Sequence, residues 1–189
     1  MEPVTVVSGE RVKLVIPEER YFENVYKLWV DPETWRYSDD QPMIQSKEPF
    51  RKNFWEKFND KGSSTLYLLI VRKNDNEFIG DIGAHFNPQK SKANLFIAIT
   101  KEHRNRGYGK EAMQLFIKFL FDNYPLEAIV NYVYEFNEAS IRLHEKLGFE
   151  RVGKEPKTVF RFGKWWGSII YALTREGYEN LHNTRDEIR

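Results

Sequence analysis

The residues with the clearest chemical content lie together at Arg104-Asn105-Arg106-Gly107-Tyr108-Gly109-Lys110, a basic run that meets two glycines and then enters a strongly periodic segment. Glycine has no Cβ, so backbone amides around Gly107 and Gly109 can approach a ligand closely. A helix that starts there points its positive end and its unpaired N–H groups at the same place. That combination suits a phosphate or pyrophosphate. Arg104 and Arg106 add charge, and Lys110 falls in the first helical turn, where the dipole disfavours a cation unless an anion is nearby. Two other phosphate loops do not fit. A Walker-type loop needs Ser or Thr after its lysine, and Lys110 is followed by Glu111. A dinucleotide fingerprint needs three glycines in an opening βαβ unit, and this run lies past mid-chain behind an extended meander. Composition and spacing alone leave a generic anion site or a plain structural turn.

Such a loop needs a strand before it and a helix after it, and the patterning supplies both. Val12, Leu14 and Ile16 alternate with Arg11, Lys13 and Val15, a first strand closed by Pro17. Tyr21, Phe22, Val25, Leu28 and Trp29 recur at helical steps as far as Asp31-Pro32. Asp31 to Ser46 reads as loop or short helical turns. Phe50, Phe54, Trp55 and Phe58 mark a second helix, ended by Asn59 to Gly62, whose aromatic stripe faces a core. Thr65 to Val71, Phe78 to Phe86 and Ala93 to Thr100 form a three-stranded antiparallel meander, with turn chemistry at Lys73 to Asn76. Beyond the loop, Ala112, Met113, Phe116, Phe119 and Leu120 give a buried helical stripe that stops at Pro125. Glu127 to Tyr134 is a strand, Asn137 to Lys146 a short helix closed by Gly148, and Val159 to Phe162 with Ser168 to Leu173 a last hairpin. The expected fold is α+β, with a mixed, mostly antiparallel central sheet of about seven strands flanked by about four helices. One domain spans 1–189, its core at about 11–174 and a charged tail at 175–189 that is helical, then frayed.

Of the 189 residues 41% are hydrophobic and 15% aromatic, which gives enough apolar area for one core. Basic and acidic residues number 29 and 28, so no global field marks nucleic acid or an anionic membrane as the partner. The absence of cysteine removes disulfides, thiolate metal ligands and a cysteine nucleophile together, and no metal is called for. No window approaches the ~20 apolar residues of a membrane span and no leader pattern opens the chain, so a soluble, cytoplasmic protein is expected.

Arg104 to Gly109 matches the Q/R-x-x-G-x-G/A signature of the GNAT superfamily of N-acetyltransferases, and it lies between a strand and a long helix as that family requires. A second match follows at Asn137-Glu138-Ala139-Ser140-Ile141-Arg142-Leu143-His144-Glu145-Lys146-Leu147-Gly148-Phe149, which resembles the family's N-x-x-S segment and helix ending in E-K-L-G-F. The order of elements from Arg11 to Leu173 agrees with that fold. Through the closing hairpin Phe160 to Ala172, the chain looks most like the group that acetylates ribosomal-protein N-termini and its polyamine-acetylating relatives.

The resemblance implies acetyl-CoA as donor and a primary amine as acceptor, either a protein N-terminus or a small molecule such as a polyamine or aminoglycoside. Amides of Asn105, Arg106, Gly107, Tyr108, Gly109 and Lys110 would hold the pyrophosphate, with Arg104 and Arg106 helping. Ile97, Ala98 and Ile99 would pair through backbone with the pantetheine arm, as though it were an added strand. Asn137 would bond that arm through its side chain, and Ser140 would cap the short helix or contact the cofactor. The amine must be neutral to attack, the developing oxyanion needs a donor, and the departing thiolate is helped by a proton. Many relatives place a tyrosine seven residues after the motif asparagine for that last task. His144 stands there, either as an imidazolium acid or as a half-buried helix residue. Where several relatives carry a glutamate base, the chain reads Ala93-Asn94-Leu95, and asparagine cannot take a proton. Asp81, His85, Asp39 and Asp40 are substitutes, as is bulk water.

Trp35, Tyr37, Asp39, Asp40 and His85 would suit a cationic acceptor. Some relatives have an aspartate where Gly167 falls. Of the adjacent Trp165 and Trp166, one is expected in the core and the other over the site or over the face of a homodimer. Two further readings stay open: a non-catalytic acyl-CoA sensor, and a protein-interaction module in which the loop is only a turn.

Overall fold

The computed structural model describes residues 2–38, 44–56 and 64–186, with side chains to 181. Eight strands are arranged in the order β1-β2-β3-β4-β5-β6-β8-β7. They are β1 Thr5–Ser8, β2 Val12–Val15, β3 Thr65–Arg72, β4 Phe78–Phe86, β5 Lys92–Ile99, β6 Ala128–Tyr134, β7 Glu150–Arg161 and β8 Lys164–Thr174. Six α-helices are found among the described residues: α1 Phe22–Val30, α2 Pro32–Trp35, α3 Lys47–Phe50, α4 Tyr108–Asn123, α5 Glu138–Lys146 and α6 Arg175–Asp186. Every recorded pairing is antiparallel except that of β5 with β6. The α+β, mostly antiparallel expectation holds. No described helix is long and apolar enough to cross a membrane.

The additions to the expected seven strands and four helices have local causes. β1 is four residues long and has no fully buried position, so no alternating face marks it in the sequence. It is held by its ladder to β2, with an irregularity between Thr5 and Val7. α2 is a single turn set by Asp31, whose carboxylate caps the Glu33 amide at 3.0 Å, with Pro32 in the first turn. The expected second helix is α3 running on into a π turn at Arg51–Trp55. Its Phe50, Phe54 and Trp55 are buried as expected, whereas Phe58 and the cluster Asn59 to Gly62 lie outside the described residues. In α4 the buried stripe takes Ile117, while Phe119 is only half-buried. The last hairpin is longer than its apolar residues suggest. β7 begins at Glu150 and stays exposed through Lys157, paired to β8 by backbone with register shifts at 151/153 and 155/159.

Two compact units divide the chain, Met1–His85 with Phe96–Leu120, and Phe86–Leu95 with Phe121–Arg189. In the first, α1 sends Phe22, Val25, Leu28 and Trp29 against Phe50, Phe54, Tyr67 and Leu69. In the second, Ile129, Val133, Phe149, Tyr171 and Leu173 are buried, and Arg175 closes the end of α4 by donating to the carbonyls of Phe121, Tyr124 and Leu126.

Asp81 on β4 is fully buried within the first unit. Its Oδ2 accepts from Trp29 Nε1 at 2.5 Å and from the Tyr67 hydroxyl at 2.7 Å, while Oδ1 has no hydrogen-bond partner. Burial pushes its pKa up from 3.8 to about 7, against the opposing pull of Trp29, Tyr67 and the Ala98 amide. The folded chain therefore keeps this proton over a range in which the unfolded chain has released it. Stability falls as pH rises from about 4 to about 7 and levels above that, each tenfold difference in proton affinity being worth ~1.4 kcal/mol. Between about pH 4.5 and about pH 8, the wild type is expected to lose a few kcal/mol more stability to urea unfolding than Asp81→Asn does. Parallel pH slopes for the two proteins would mean that the proton sits elsewhere.

Candidate functional site

In the first unit β5 ends at Ile99, a 3-10 turn occupies Lys101–His103, and α4 starts at Tyr108. Between them Asn105 and Gly107 both take the left-handed region, with φ of +59° and +83°. Alternation of left- and right-handed residues gathers successive N–H groups on one side of the chain, which makes a concavity for an anion. Arg106 and Lys110 are exposed, and neither makes an ion pair among the described residues.

Arg104, expected to add charge to the loop, is turned inward. Its Nε donates to Ile99 O at 2.9 Å, and its terminal nitrogens lie 3.4 Å from Glu33 Oε2 and Thr34 Oγ1 of α2. It ties the loop to the end of β5. Ile97, Ala98 and Ile99 are all half-buried.

The two glycines differ. A Cβ at Gly107 would stand 2.9 Å from Arg11 Nη2 in a conformation that side chains rarely adopt. One at Gly109 would meet Ile99 at an ordinary 3.5 Å. Tyr108 stacks beneath the Arg11 guanidinium, 5.1 Å from ring centre to carbon. Arg11 and Glu111, joined at 3.0 Å, are the residues here that patterning does not reveal. They are 100 positions apart, and neither breaks the periodicity of its element.

In the second unit Asn137, Ser140 and His144 follow one another along one side of α5, from its N-cap to its last turn. Asn137 is the N-cap, its Oδ1 accepting from the Ser140 amide at 3.1 Å. His144 is 4% exposed. Its surroundings fix its tautomer. Leu95 N–H donates to Asn131 Oδ1 at 2.8 Å, which turns Asn131 Nδ2 toward His144 Nε2, also at 2.8 Å. Nε2 must therefore accept, and Nδ1 carries the hydrogen that goes to Ser140 O at 2.8 Å, with Ser140 Oγ at 3.3 Å. Burial lowers the pKa of the ring, partly offset by the Ser140 carbonyl. Of the two expected readings, an imidazolium acid and a half-buried helix residue, the ring as placed has both nitrogens engaged and Nε2 without a hydrogen. Asn94, at the position of the missing carboxylate, donates to Val130 O at 3.0 Å.

Other expected residues are more scattered. Trp35 is half-buried at the end of α2, and Tyr37 is exposed. His85 is exposed on β4, with Nδ1 2.8 Å from Thr65 Oγ1 and its ring 5.0 Å from that of Phe96. Asp39 and Asp40 lie outside the described residues. Asp81 sits in the core. Trp165 is 57% exposed, and Trp166 is half-buried and packs edge-on against the half-buried Phe136, so neither tryptophan sits in the core where one was expected. A Cβ at Gly167 would fall 2.7 Å from Glu155 O and 2.8 Å from Glu135 Oε2, so there is no room there for a side chain. Glu135 is held there by the Gly167 amide at 2.9 Å and by Lys154 at 2.5 Å, and both keep its pKa low.

The sequence profile described as Acetyltransferase (GNAT) domain matches residues 11–150. A SPbeta prophage-derived uncharacterized N-acetyltransferase, YokL of Bacillus subtilis, is 32% identical over 117 residues, 61% of this chain and 66% of that protein. The match spans just under two thirds of that relative's length. Among solved structures, spermidine N-acetyltransferase of Vibrio cholerae in complex with CoA and spermine superposes with a TM-score of 0.81 at 18% identity, covering 89% of this chain and 98% of that one. A ribosomal L7/L12 alpha-N-protein acetyltransferase in complex with coenzyme A gives 0.78 at 18% identity, covering 93% and 99%.

The contrast between the glycines is directly measurable. Gly107→Ala is expected to weaken coenzyme A binding about tenfold or more, since left-handed strain costs ~1–2 kcal/mol and Arg11 must also move. Gly109→Ala is expected to stay within about twofold of wild type by calorimetry. Equal losses for both would mean that the loop's backbone conformation is not what the ligand reads.

Proposed function

We propose, from the premise that the chain belongs to the GNAT acetyltransferase family, that it transfers an acetyl group from acetyl-CoA to a primary amine in a ternary complex. The observation that carries this reading is the loop 104–110, in which left-handed Asn105 and Gly107 gather amides beside the uncommitted cations Arg106 and Lys110. Amides between Asn105 and Lys110 bind the pyrophosphate, and the two cations neutralise it. Backbone groups along the Ile97–Ile99 stretch pair with the pantetheine arm, and the side-chain amide of Asn137, whose oxygen caps α5, donates to it. When bound, acetyl-CoA supplies the acyl group already activated as a thioester. In this reading 1–189 acts as one cytoplasmic acetyltransferase domain, its core at 11–174 and its tail at 175–189.

His144 serves as a positioning residue. Its ring holds α5 to Asn131 of β6 and presents no proton to a leaving group. Asn94 and Asp81 do not act as the base, the first because it has no titratable group and the second because it is sealed in the core. The amine reaches the site neutral, or loses its proton to water or to an exposed group such as His85. The structural likeness to a spermidine acetyltransferase and to a ribosomal-protein acetyltransferase supports a polyamine or a protein N-terminus as acceptor. Trp35, Asp39, Asp40 and His85 contribute to its recognition. The missing carboxylate at Asn94 also favours a second reading, an acyl-CoA-binding sensor without turnover.

Thiol release from acetyl-CoA over a panel of peptides, polyamines and aminoglycosides separates the two. Amine-dependent release is expected, whereas tight binding without release would make the chain a sensor. His144→Phe is expected to lose ~1–3 kcal/mol of stability, because Asn131 Nδ2 is left buried without an acceptor. Its pH–rate profile should match that of wild type. A falling limb with rising pH that is present in wild type and gone in the variant would restore His144 as the acid.

A further inference from the structure

Arg11 immediately precedes β2, and its side chain runs behind the loop 104–110. Nη1 donates to Arg106 O at 3.0 Å, Nε donates to Glu111 Oε2 at 3.0 Å, and Nη2 lies 2.9 Å from the place a Cβ on Gly107 would take. The other oxygen of Glu111 accepts from the backbone amides of Arg11 at 2.7 Å and Val12 at 3.2 Å. Glu111 is 16% exposed, and although burial raises its pKa, the Arg11 and Val12 amides and the guanidinium bring it below the ordinary value. The first turn of α4 is thus bolted to the start of β2 through a carboxylate with both oxygens in use.

A trans peptide is planar, with its C=O and N–H pointing in opposite directions. Holding Arg106 O toward Arg11 therefore sends the next amide, that of Gly107, to the opposite face of the loop. That face is where the pyrophosphate binds. Arg11 also shields Glu111, which would otherwise put an unpaired negative charge in the first turn of a helix that receives an anion.

We propose that Arg11 is a positioning residue for donor binding: by holding the Arg106 carbonyl from behind it aims the Gly107 amide at the pyrophosphate, and Glu111 fixes the guanidinium that does so. This rests on the reading of loop 104–110 as the acetyl-CoA pyrophosphate site. The guanidinium offers each acceptor its own nitrogen in a rigid fork, which a lysine ammonium on a flexible stem does not.

The test compares acetyl-CoA with S-acetylpantetheine, a donor that lacks the pyrophosphate, in wild type, Arg11→Met, Arg11→Lys and Glu111→Gln. Arg11→Met is expected to raise the KM for acetyl-CoA about tenfold, the loss of one well-directed bond, with kcat at saturation little changed and the KM for S-acetylpantetheine unchanged. Arg11→Lys and Glu111→Gln should fall between wild type and Arg11→Met, and they carry the test if the methionine variant does not fold. A purely structural role would lower the melting temperature and leave the ratio of the two KM values at its wild-type level. That result, or an unaltered KM for acetyl-CoA in all three variants, overturns the proposal. Wild type that binds no acetyl-CoA by calorimetry would instead remove the reading of the loop on which the proposal stands.

Discussion

A planar peptide that offers its N–H to a ligand sends its carbonyl the other way, and that carbonyl must find a donor. The loop before α4 is organised around this constraint. Arg11 takes the carbonyl of Arg106, and Arg104 takes that of Ile99. Four of the cations in and around the loop therefore divide by geometry. The two that are drawn in behind it, Arg11 and Arg104, satisfy backbone oxygens, and the two left in solvent, Arg106 and Lys110, are those that the proposed function assigns to the pyrophosphate. Gly107 completes the frame because it takes a left-handed turn and leaves Arg11 its space.

A comparable logic runs through the second unit in side chains. β5 and β6 are paired at Lys92 with Ala128 and at Ala93 with Ile129. The next links are made by two asparagines, Asn94 to Val130 O and Asn131 from Leu95 N. Because an amide has one accepting and one donating end, the bond from Leu95 dictates which end Asn131 shows to His144, and so which ring nitrogen carries the hydrogen. A backbone amide on β5 thereby decides the chemistry of a histidine on α5.

Much of this was legible in the sequence because it rests on local rules. Helical spacing marked Phe22, Val25, Leu28 and Trp29, and glycines beside cations marked the loop. What stayed hidden was of two kinds. The ion pair of Arg11 with Glu111 joins residues 100 positions apart, and charge alone does not say which of many acids an arginine will meet. The state of His144 depends on Asn131 and Leu95, so its place in a motif left an acid and a half-buried helix residue both open. Arg104 matched its motif position, yet its side chain serves the frame. β1 and the first half of β7 were missed because their pairing is carried by backbone and they bury no apolar face.

The exposed half of β7 bears on how the chain behaves among its own copies. An edge strand offers unpaired N–H and C=O groups to any other extended chain, and that is the usual route to strand-by-strand aggregation. From Glu150 to Lys157 this edge carries Arg151, Lys154, Glu155 and Lys157, has a proline at 156 with no N–H to give, and is broken twice in register. A strand trying to add there would lose hydrogen bonds at the proline and the bulges and would have to strip water from charges. A segment to which the apolar pattern assigns no element thus keeps the long hairpin from becoming a template.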